Sequence, residues 1–384
     1  MTDPWHMLPD EERSFADMLE RYAAGELSPR AAETDETAAF VRPQLQGLAA
    51  LGLLGANLPE ADGGPGISAP ALLRAVALIA GACGSTVSAL TAHYLATDSI
   101  LLGGTPEQRA RWLPRCATGE VLGAFGLTEP TAGSDPADMK TRARRTGDGW
   151  HLTGSKCFIS NGGEADFVIV YAVTDPEAKH RGISAFILPT DTPGFSAGKP
   201  ERTMGLKGGH VFTLALDCHL PDDALLGGEG QGFKTAMKVL DNGRIEVAAM
   251  CLGLAEAALK AAVTYAKDRI IGGEPLANRQ GIRWQLADMA TDYHAALLVA
   301  QEAARQREAA HHGGPRFSLA ASQAKLVCSE MAHRVTDGAL QIHGGYGFTR
   351  DLPLERYARD VRIMRIYEGS SEIQRNIIAA HLLA

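Results

Sequence analysis

The sequence predicts an α+β protein of three domains, with helices first, a compact β domain in the middle and a helical bundle at the end. Two observations lead to this prediction. At 384 residues the chain is too long for one small domain and has ample apolar residues for a core. The spacing of its apolar residues is helical at first, then strand-like, then helical again. We therefore expect domains at residues 1–120, 121–225 and 226–384.

Helices are predicted throughout the first domain. Apolar side chains recur at helical spacing in the stretches 15–22 and 45–51. Thr105 followed by Pro106 is typical of a helix N-cap with proline at the first helical position. His93 lies on an apolar segment, where packing in the core is the expected role and lining a pocket is the alternative.

Strands are predicted in the middle domain. The Gly-Asp-Gly turn at 147–149, followed by apolar and β-branched residues, indicates a hairpin. The stretches 167–173 and 183–188 are short apolar runs rich in branched side chains. Because strands and helices do not alternate here, the pattern does not fit a doubly wound nucleotide-binding fold.

Long helices return in the last domain. One apolar face follows a helical spacing over residues 245–266, and this helix is expected to stop at the glycines 272–273. A second helix is predicted over 319–342, ending at the glycines 344–345. Long helices with apolar stripes and short connections predict a bundle.

The composition limits the partners and the location of the protein. A formal net charge of −8 argues against binding to a nucleic-acid backbone. The first eight residues have no basic segment followed by an apolar one, and no apolar run looks long enough to span a bilayer. We therefore expect a cytoplasmic protein without membrane insertion. The six cysteines are scattered without Cys-x-x-Cys pairs, so we expect buried, reduced thiols and no metal site.

Several nucleotide and hydrolase motifs are incomplete. Gly228, Gly230 and Gly232 resemble part of a dinucleotide fingerprint, but they follow a turn and have the wrong spacing. The glycines before Lys199 are one residue too close for a Walker loop, and Pro200 occupies the hydroxyl position. The sequence has no His-Glu-x-x-His. ATP and zinc protease chemistry are therefore disfavoured.

Glu368, close to the end of the chain, is the candidate base. It stands on a Gly-Ser turn between the apolar segment 361–366 and a short amphipathic helix. Apolar neighbours destabilise the charged form of a carboxyl group, which makes it a better proton acceptor than an exposed glutamate. Ser371 with Gln374 fits a capping box, so the helix is expected to start just after Glu368. An ordinary loop glutamate before a helix cap is the alternative.

Three separated parts of the sequence together resemble the flavin-dependent acyl-CoA dehydrogenases. They are Phe-Gly-Leu-Thr-Glu-Pro-Thr-Ala-Gly-Ser-Asp at 125–135, Asp-Asn-Gly-Arg at 241–244 with Gln-Ile-His-Gly-Gly-Tyr-Gly at 341–347, and Tyr-Glu-Gly at 367–369. The likeness covers nearly the whole chain and is nearest to the short-chain and branched-chain branches. It implies a helical domain, a β-barrel domain and a four-helix bundle, in that order.

The resemblance implies that FAD removes two hydrogens from the α and β carbons of an acyl-CoA and leaves the trans-2-enoyl-CoA. This needs a base, stabilisation of the enolate oxygen, and a hydride acceptor at the flavin N5. Glu368 matches the family's base, and its backbone N–H would donate to the thioester carbonyl. Some branches carry the base just before Arg244; here that residue is Gly243, which cannot accept a proton. Glu246, one helical step further, is expected to be a bystander.

The resemblance also implies which residues bind FAD and the substrate. The FAD set is Phe125, Leu127, Thr128, Gly133, Ser134, Phe158, Ile159, Ser160, Arg269, Gln280, Gln341, Gly344, Gly345, Ser370 and Glu372. The substrate set is Ser134, Asp241, Arg244 and Gly369. Arg269, Gln280 and the 341–345 segment match residues that hold a neighbouring subunit's FAD. As alternatives, the 128–135 segment is also ordinary turn sequence, and Asp241 and Asn242 could be plain helix caps.

Some positions depart from the family pattern. Gly272 stands where the family usually has Phe, which removes an aromatic contact at the flavin or subunit interface. Arg279 stands where an aromatic residue or Asn is common, and Arg283 where Gln is frequent. Phe158 replaces a Trp beside the flavin, which keeps the ring and loses the indole donor.

The resemblance further implies an acyl-CoA substrate, an electron-transferring flavoprotein as acceptor, and a homotetramer, with a dimer as the alternative. The pathway would be fatty acid or branched-chain amino acid catabolism. Two alternatives keep the fold: a dehydrogenase of an acyl or aminoacyl group on a carrier protein, and an oxidase that uses oxygen. A non-catalytic helical scaffold is the alternative of a different class.

Overall fold

The chain begins with helices. The structure, a computed structural model, describes Trp5 and residues 8–383. In this part of the chain, six α-helices precede the first strand: α1 (Asp10–Tyr22), α2 (Ala31–Thr37), α3 (Arg42–Ala50), α4 (Ala69–Ala82), α5 (Gly84–Gly103) and α6 (Pro106–Ala117). Helix α5 is buried on all sides from Gly84 to Ile100, so it forms the centre of this layer.

Two local predictions in the helical layer are confirmed. Thr105 caps α6 in a capping box: its Oγ1 accepts from the Gln108 backbone N–H, and the Gln108 Oε1 accepts from the Thr105 N–H. His93 is fully buried, and its Nδ1 accepts from the Gly123 N–H at 2.9 Å. Burial lowers the pKa of His93 to about 4, so it packs in the core as a neutral side chain.

A seven-stranded sheet follows the helical layer. Its strands are β1 (Gly123–Gly126), β2 (Arg142–Thr146), β3 (Gly149–Ser160), β4 (Phe167–Val173), β5 (Ile183–Pro189), β6 (Phe195–Ala197) and β7 (Val211–Pro221). They lie in the order β1-β4-β2-β3-β7-β6, and β5 pairs with β4. No pair among the described strands joins β6 back to β1 or β5, so the predicted barrel is an open half-barrel.

The predicted strands and hairpin are confirmed. Strands β2 and β3 pair antiparallel, with Thr146 opposite Gly149 across the predicted turn. All residues of β4 are buried, as its continuous apolar run indicated. Strand β3 carries a bulge between Lys156 and Ile159, and this bulge presents Phe158 at the surface.

The remainder of the chain is a helical bundle with a two-stranded ribbon. Its elements are α7 (Gly232–Asp268), β8 (Ile270–Ile271), β9 (Glu274–Pro275), α8 (Gln280–His311), α9 (Ser318–His343), α10 (Gly345–Phe348), α11 (Leu354–Asp360) and α12 (Ser371–Leu383). Helix α9 ends as predicted. Helix α7 ends four residues before the predicted glycines, because Gly272 and Gly273 adopt positive φ in the turn between β8 and β9.

Helix α7 also corrects the expectation that no apolar run is long enough to span a bilayer. By length and composition alone, α7 would be long enough to cross a membrane. However, 67% of its most apolar 18-residue stretch is buried inside the protein. This is because α7 packs against α4, α5, α8 and α9. It is the central core helix of the structure. The domain boundaries at residues 120 and 225 stay predictions.

All six cysteines are buried and free, as expected for reduced thiols. Three apolar cores hold the layers together: one between the helical layers, one between α5, α6 and the sheet, and one inside the sheet. Helices α5 and α7 each contribute to more than one of these cores, so they join the helical layers to each other and to the sheet.

Candidate active site

Glu368 lies on a tight turn between the 3₁₀ helix Val361–Arg365 and α12. Its φ is 53° and that of Gly369 is 90°, so two consecutive residues are left-handed. A non-glycine residue in this conformation is strained by about 1–2 kcal/mol and persists only where its surroundings hold it. The residue is partly accessible, but its Oε2 is buried and has no hydrogen-bond partner within the described residues. The turn therefore presents one free carboxylate oxygen inside the protein.

The capping prediction for α12 is wrong in its residues. Ser370, not Ser371, is the cap, and its Oγ accepts from the Ile373 N–H at 3.4 Å. Because Glu368 and Gly369 turn left-handed, Ser370 becomes the last residue before the helix. The Gln374 side chain does not complete a capping box, since its Nε2 donates to the carbonyls of Glu368 and Gly369.

Gly243 on α7 leaves the space that the Glu368 carboxyl group occupies. A Cβ added at Gly243 would lie 2.2 Å from the Glu368 Oε2 and 2.8 Å from the Leu95 Cδ2. The carboxyl group therefore packs directly against the α7 backbone, between α7 and α5. Any larger residue at position 243 would have to displace it.

Burial dominates the protonation of Glu368. It raises the pKa of this carboxyl group to about 7, although the Lys325 and Arg244 charges lower it. A carboxyl group with this pKa can accept or release a proton near neutral pH, as general acid–base catalysis requires.

Asp241 and Asn242 lie in the interior of α7, so the alternative that they are helix caps is wrong. Buried Asp241 accepts from Arg244 Nη1 at 2.7 Å, from Arg316 Nη2 at 3.1 Å and from the Ser318 hydroxyl. The Nε of Arg244 is buried without a partner in the described chain. Sequence reasoning missed Arg316 and Ser318, which come from the loop before α9 and the start of that helix.

Glu246 is fully buried and is bound at Oε1 by Arg307 Nη1 at 3.3 Å. Burial raises the pKa of Glu246 to about 8. The neighbouring Asp98 is held by the side-chain amides of Asn242 and Asn57, each at 2.7 Å. Glu246 therefore belongs to a buried polar group next to the turn, and no hydrogen bond joins it to Glu368, although the two carboxyl groups repel each other when charged.

The 125–134 loop, which includes the end of β1, adjoins the bulge of β3. The Cys157 N–H donates to the Thr128 carbonyl at 3.0 Å, and the buried Lys156 Nζ donates to the Leu127 carbonyl at 3.1 Å and to Glu129 at 2.8 Å. Phe158 is 70% exposed with a φ of 57°, an unfavourable backbone for an aromatic residue. Strain combined with an exposed ring indicates a ligand platform. Sequence reasoning missed Lys156 and Glu129, which hold this loop.

The comparisons with known proteins agree along the whole chain. Domain models of acyl-CoA dehydrogenases match in order: the N-terminal domain at residues 9–120, the middle domain at 124–217 and the C-terminal domain at 230–383. The bovine mitochondrial short-chain specific acyl-CoA dehydrogenase is 41% identical over 380 residues, which are 98% of this chain and 91% of that protein. The chain belongs to the acyl-CoA dehydrogenase family. It is therefore an oxidoreductase and a flavoprotein.

Two further similar proteins bear on the reaction of this dehydrogenase. An acryloyl-CoA reductase (NADH) of Anaerotignum propionicum is 42% identical over 380 residues, 98% of this chain and 95% of that one. The solved butyryl-CoA dehydrogenase of Megasphaera elsdenii has a TM-score of 0.94 and 40% identity, covering 98% of this chain and 99% of that one.

The acyl-CoA dehydrogenase family uses FAD, and the residues of this member fit a flavin. The fit rests on the strained, exposed Phe158 and on the open space at Gly133, where an added Cβ would meet nothing within 4 Å. Ser134 is exposed beside that space, and Thr128 and Ser160 are half-buried. The side chains of Leu127 and Ile159 point into the core, so only their backbones can face a ligand.

The predicted adenylate residues of the dehydrogenase lie at the opposite end of the bundle from Glu368. Arg269 follows α7, Gln280 opens α8, and Gln341, Gly344 and Gly345 end α9 or follow it; all are exposed. Arg269 is roughly 39 Å along α7 from Gly243, at 1.5 Å per residue. The structure therefore does not bring the two sets into one site within the chain. This is the separation expected if the second set serves another subunit's FAD.

Two of the residues that depart from the family pattern, Gly272 and Arg279, lie together at the β8–β9 ribbon. Arg279 Nη2 donates to the Ile271 carbonyl at 3.0 Å, across the ribbon that Gly272 turns. With a φ of 64°, Gly272 could not be a phenylalanine without strain. Arg279 therefore braces the ribbon.

Proposed function

We propose that this enzyme dehydrogenates a short-chain acyl-CoA to the trans-2-enoyl-CoA, with Glu368 as the base that takes the α proton. The observation that carries this proposal is the environment of the Glu368 carboxyl group. Its Oε2 is buried, lacks a partner in the described chain and lies against the α7 backbone. A base held in this way needs little reorganisation before proton transfer.

The turn also supplies stabilisation for the reacting thioester. The Glu368 backbone N–H donates no hydrogen bond among the described residues, so it is available to the thioester carbonyl, where negative charge develops. We assign the unpartnered Nε of Arg244, which Asp241 orients, to the substrate. Bound FAD supplies the acceptor for the β hydride. Exposed Ser134 and Phe158 are assigned to the flavin side of this gap.

A short acyl chain is supported by four side chains next to the base, three of which are buried and one partly buried. The Tyr367 hydroxyl lies 3.0 Å from the Met364 Sδ and 3.5 Å from the Met250 Sδ. Both methionines are fully buried, and the Thr91 hydroxyl lies 3.7 Å from the Met250 Sδ. The space beyond the turn is therefore filled with side chains, which leaves room for few carbons.

We expect butyryl-CoA and isobutyryl-CoA to reduce the flavin at least about tenfold more efficiently than octanoyl-CoA, since each methylene without space costs binding energy. The measurement is anaerobic stopped-flow bleaching of the purified yellow enzyme at several acyl chain lengths. Preference for octanoyl-CoA would contradict a short pocket. Absence of bleaching by every CoA thioester would overturn the proposed function and favour a carrier-protein substrate.

Reduction of an enoyl-CoA is the second candidate, favoured by the 42% identity to an acryloyl-CoA reductase. With a pKa near 7, Glu368 could also deliver a proton to the α carbon in that direction. The two directions predict opposite dependences on pH, because dehydrogenation needs the carboxylate and reduction needs the carboxylic acid.

We expect kcat/KM for dehydrogenation to rise with pH through a midpoint near 7 and to level off above about pH 8. The raised pKa leaves Glu368 mostly protonated below that midpoint, and only the ionised form takes the α proton. Flavin reduction by butyryl-CoA between pH 5.5 and 9 measures this. A profile that stays flat down to pH 5.5 would show a solvated carboxyl group instead.

We further propose a cytoplasmic homotetramer, with a dimer as the alternative, that passes electrons to an electron-transferring flavoprotein. Large apolar side chains near the adenylate residues support association: Trp284 is 62% exposed, Tyr346 55% and Phe348 83%. Single copies of soluble proteins rarely expose such clusters.

A further inference from the structure

Two buried side chains donate three hydrogen bonds to the carbonyl groups of the catalytic turn. The Gln374 Nε2 donates to the Glu368 carbonyl at 3.1 Å and to the Gly369 carbonyl at 2.9 Å. The Lys325 Nζ donates to the Gly369 carbonyl at 2.7 Å. Both side chains are fully buried. Lys325 is 44 positions from Gly369 in sequence, so this contact depends on the packing of α9 against the turn.

Burying Lys325 in this way is costly. Among the described residues it forms no ion pair, and its one hydrogen-bond acceptor is the Gly369 carbonyl. Removing an ammonium group from water without a paired carboxylate costs several kcal/mol, and an apolar residue of similar length would fill the same volume. This cost is the reason to look for a role of Lys325 beyond packing.

The positions of these donors also fit the left-handed backbone of the turn. Left-handed backbone at Glu368 and Gly369 points both carbonyls toward α9 and α12, where the donors lie. A Cβ added at Gly369 would lie 2.5 Å from the Gln374 Nε2, so only glycine permits this arrangement. Fixing the two carbonyls fixes the peptide planes that follow Glu368 and Gly369, and so holds the ψ angle of Glu368, whose Cα carries the base.

The charge of Lys325 acts on the base as well. Lys325 on α9 and Arg244 on α7 are the cations that lower the pKa of the Glu368 carboxyl group against burial. Glu246 and Cys251 are the other titratable groups of α7 nearby, and both have pKa values raised by burial. Glu330, on α9, pairs with Arg365 and Arg375.

We propose that Lys325 and Gln374 are positioning residues that clamp the Glu368–Gly369 turn, and that the positive charge of Lys325 stabilises the carboxylate form of Glu368, the form that abstracts the proton. This inference rests on the proposed function of Glu368. Neither side chain is assigned a contact with the substrate or the flavin; each acts through the turn.

The test compares Lys325→Gln, Lys325→Met and Gln374→Met with wild type and with Lys238→Met, a control at an exposed lysine of α7. Lys325→Gln keeps a donor and loses the charge, so we expect the midpoint of the kcat/KM profile to rise by about one pH unit. Lys325→Met loses both the donor and the charge, so its kcat should be lower than that of Lys325→Gln. Gln374→Met should lower kcat about tenfold and leave the midpoint in place. Lys238→Met should match wild type.

A second measurement does not depend on turnover. An infrared pH titration of the carboxyl stretch, assigned with Glu368→Gln, reports the pKa of Glu368 directly in each folded variant. A higher pKa in Lys325→Gln supports the clamp even if no acyl-CoA reacts, a result that would overturn the proposed function alone. An unchanged pKa in both Lys325 variants, with kcat reduced or not, would show that Lys325 only fills space and would overturn the inference.

Discussion

Replacing Glu368 with glutamine is expected to lower the rate of flavin reduction by butyryl-CoA by about 10²–10⁴-fold, the range for loss of a general base. The amide has the size of the carboxyl group and fits against Gly243 as before. It cannot accept the α proton. The backbone N–H at position 368 is unchanged, so binding of the thioester and of FAD should be retained. The variant should therefore be a yellow protein that binds butyryl-CoA and does not bleach.

Glu246→Gln is the matched control for this prediction. Glu246 is also buried and has a raised pKa, and its amide keeps an oxygen that can accept from Arg307. We expect its turnover to stay within a few-fold of wild type. Rapid flavin reduction by Glu368→Gln together with loss of reduction in Glu246→Gln would reassign the base to Glu246. The measurement is single-turnover absorbance of the flavin, with butyryl-CoA binding followed separately by the spectral shift.

Helices and strands could be predicted from the sequence where apolar residues follow a clear pattern or where a helix begins at a clear capping residue. The continuous apolar run of β4 and the Thr105 cap each follow from neighbouring residues, and the structure has both. Helix α8 was not predicted from the apolar pattern, because much of its buried face consists of alanine, which is only weakly apolar. The buried apolar residues of this helix are Met289, Tyr293, Ala296, Leu297, Ala300, Ala303 and Ala304.

The site shows why local signals fail. Asp241 and Asn242 could be read as helix caps, yet α7 runs straight through them. Asp241 is instead the acceptor for three donors, two of which come from residues more than 70 positions away. The tertiary contacts outweigh the local preference. Only the resemblance to a family, not the pattern of residues, indicated these positions.

Buried lysines were the least predictable part of the site. Lysine is almost always exposed, so a sequence pattern gives no reason to place Lys156 and Lys325 inside the protein. Both are fully buried in the structure, one under the 125–134 loop and one under the Glu368 turn. Their acceptors include backbone carbonyls, which every residue has. No residue-type signal can therefore identify these contacts.

Gly243→Ala is expected to lower kcat/KM by about 10²-fold while leaving the protein as stable as wild type or more stable. The added methyl group would lie 2.2 Å from the Glu368 Oε2 and 2.8 Å from the Leu95 Cδ2. Both atoms are ends of flexible side chains, so they can move aside at little cost in folding free energy. Alanine in place of a glycine inside a helix contributes about 0.5–1 kcal/mol of stability. The displaced atom, however, belongs to the base, and a displacement of about 1 Å at a reacting group costs about 10²-fold in rate.

Opposite effects on stability and activity distinguish this account from simple damage to the fold. Gly25→Ala is the control, since an added Cβ there meets nothing within 4 Å and lies outside the site; its activity should equal that of wild type. Thermal unfolding and single-turnover flavin reduction are measured on the same preparations. If Gly243→Ala loses stability and activity together, glycine is needed for the packing of α7 against α5. If activity is unchanged, the carboxyl group that reacts does not lie where the structure places Glu368, and the assignment of the base fails with it.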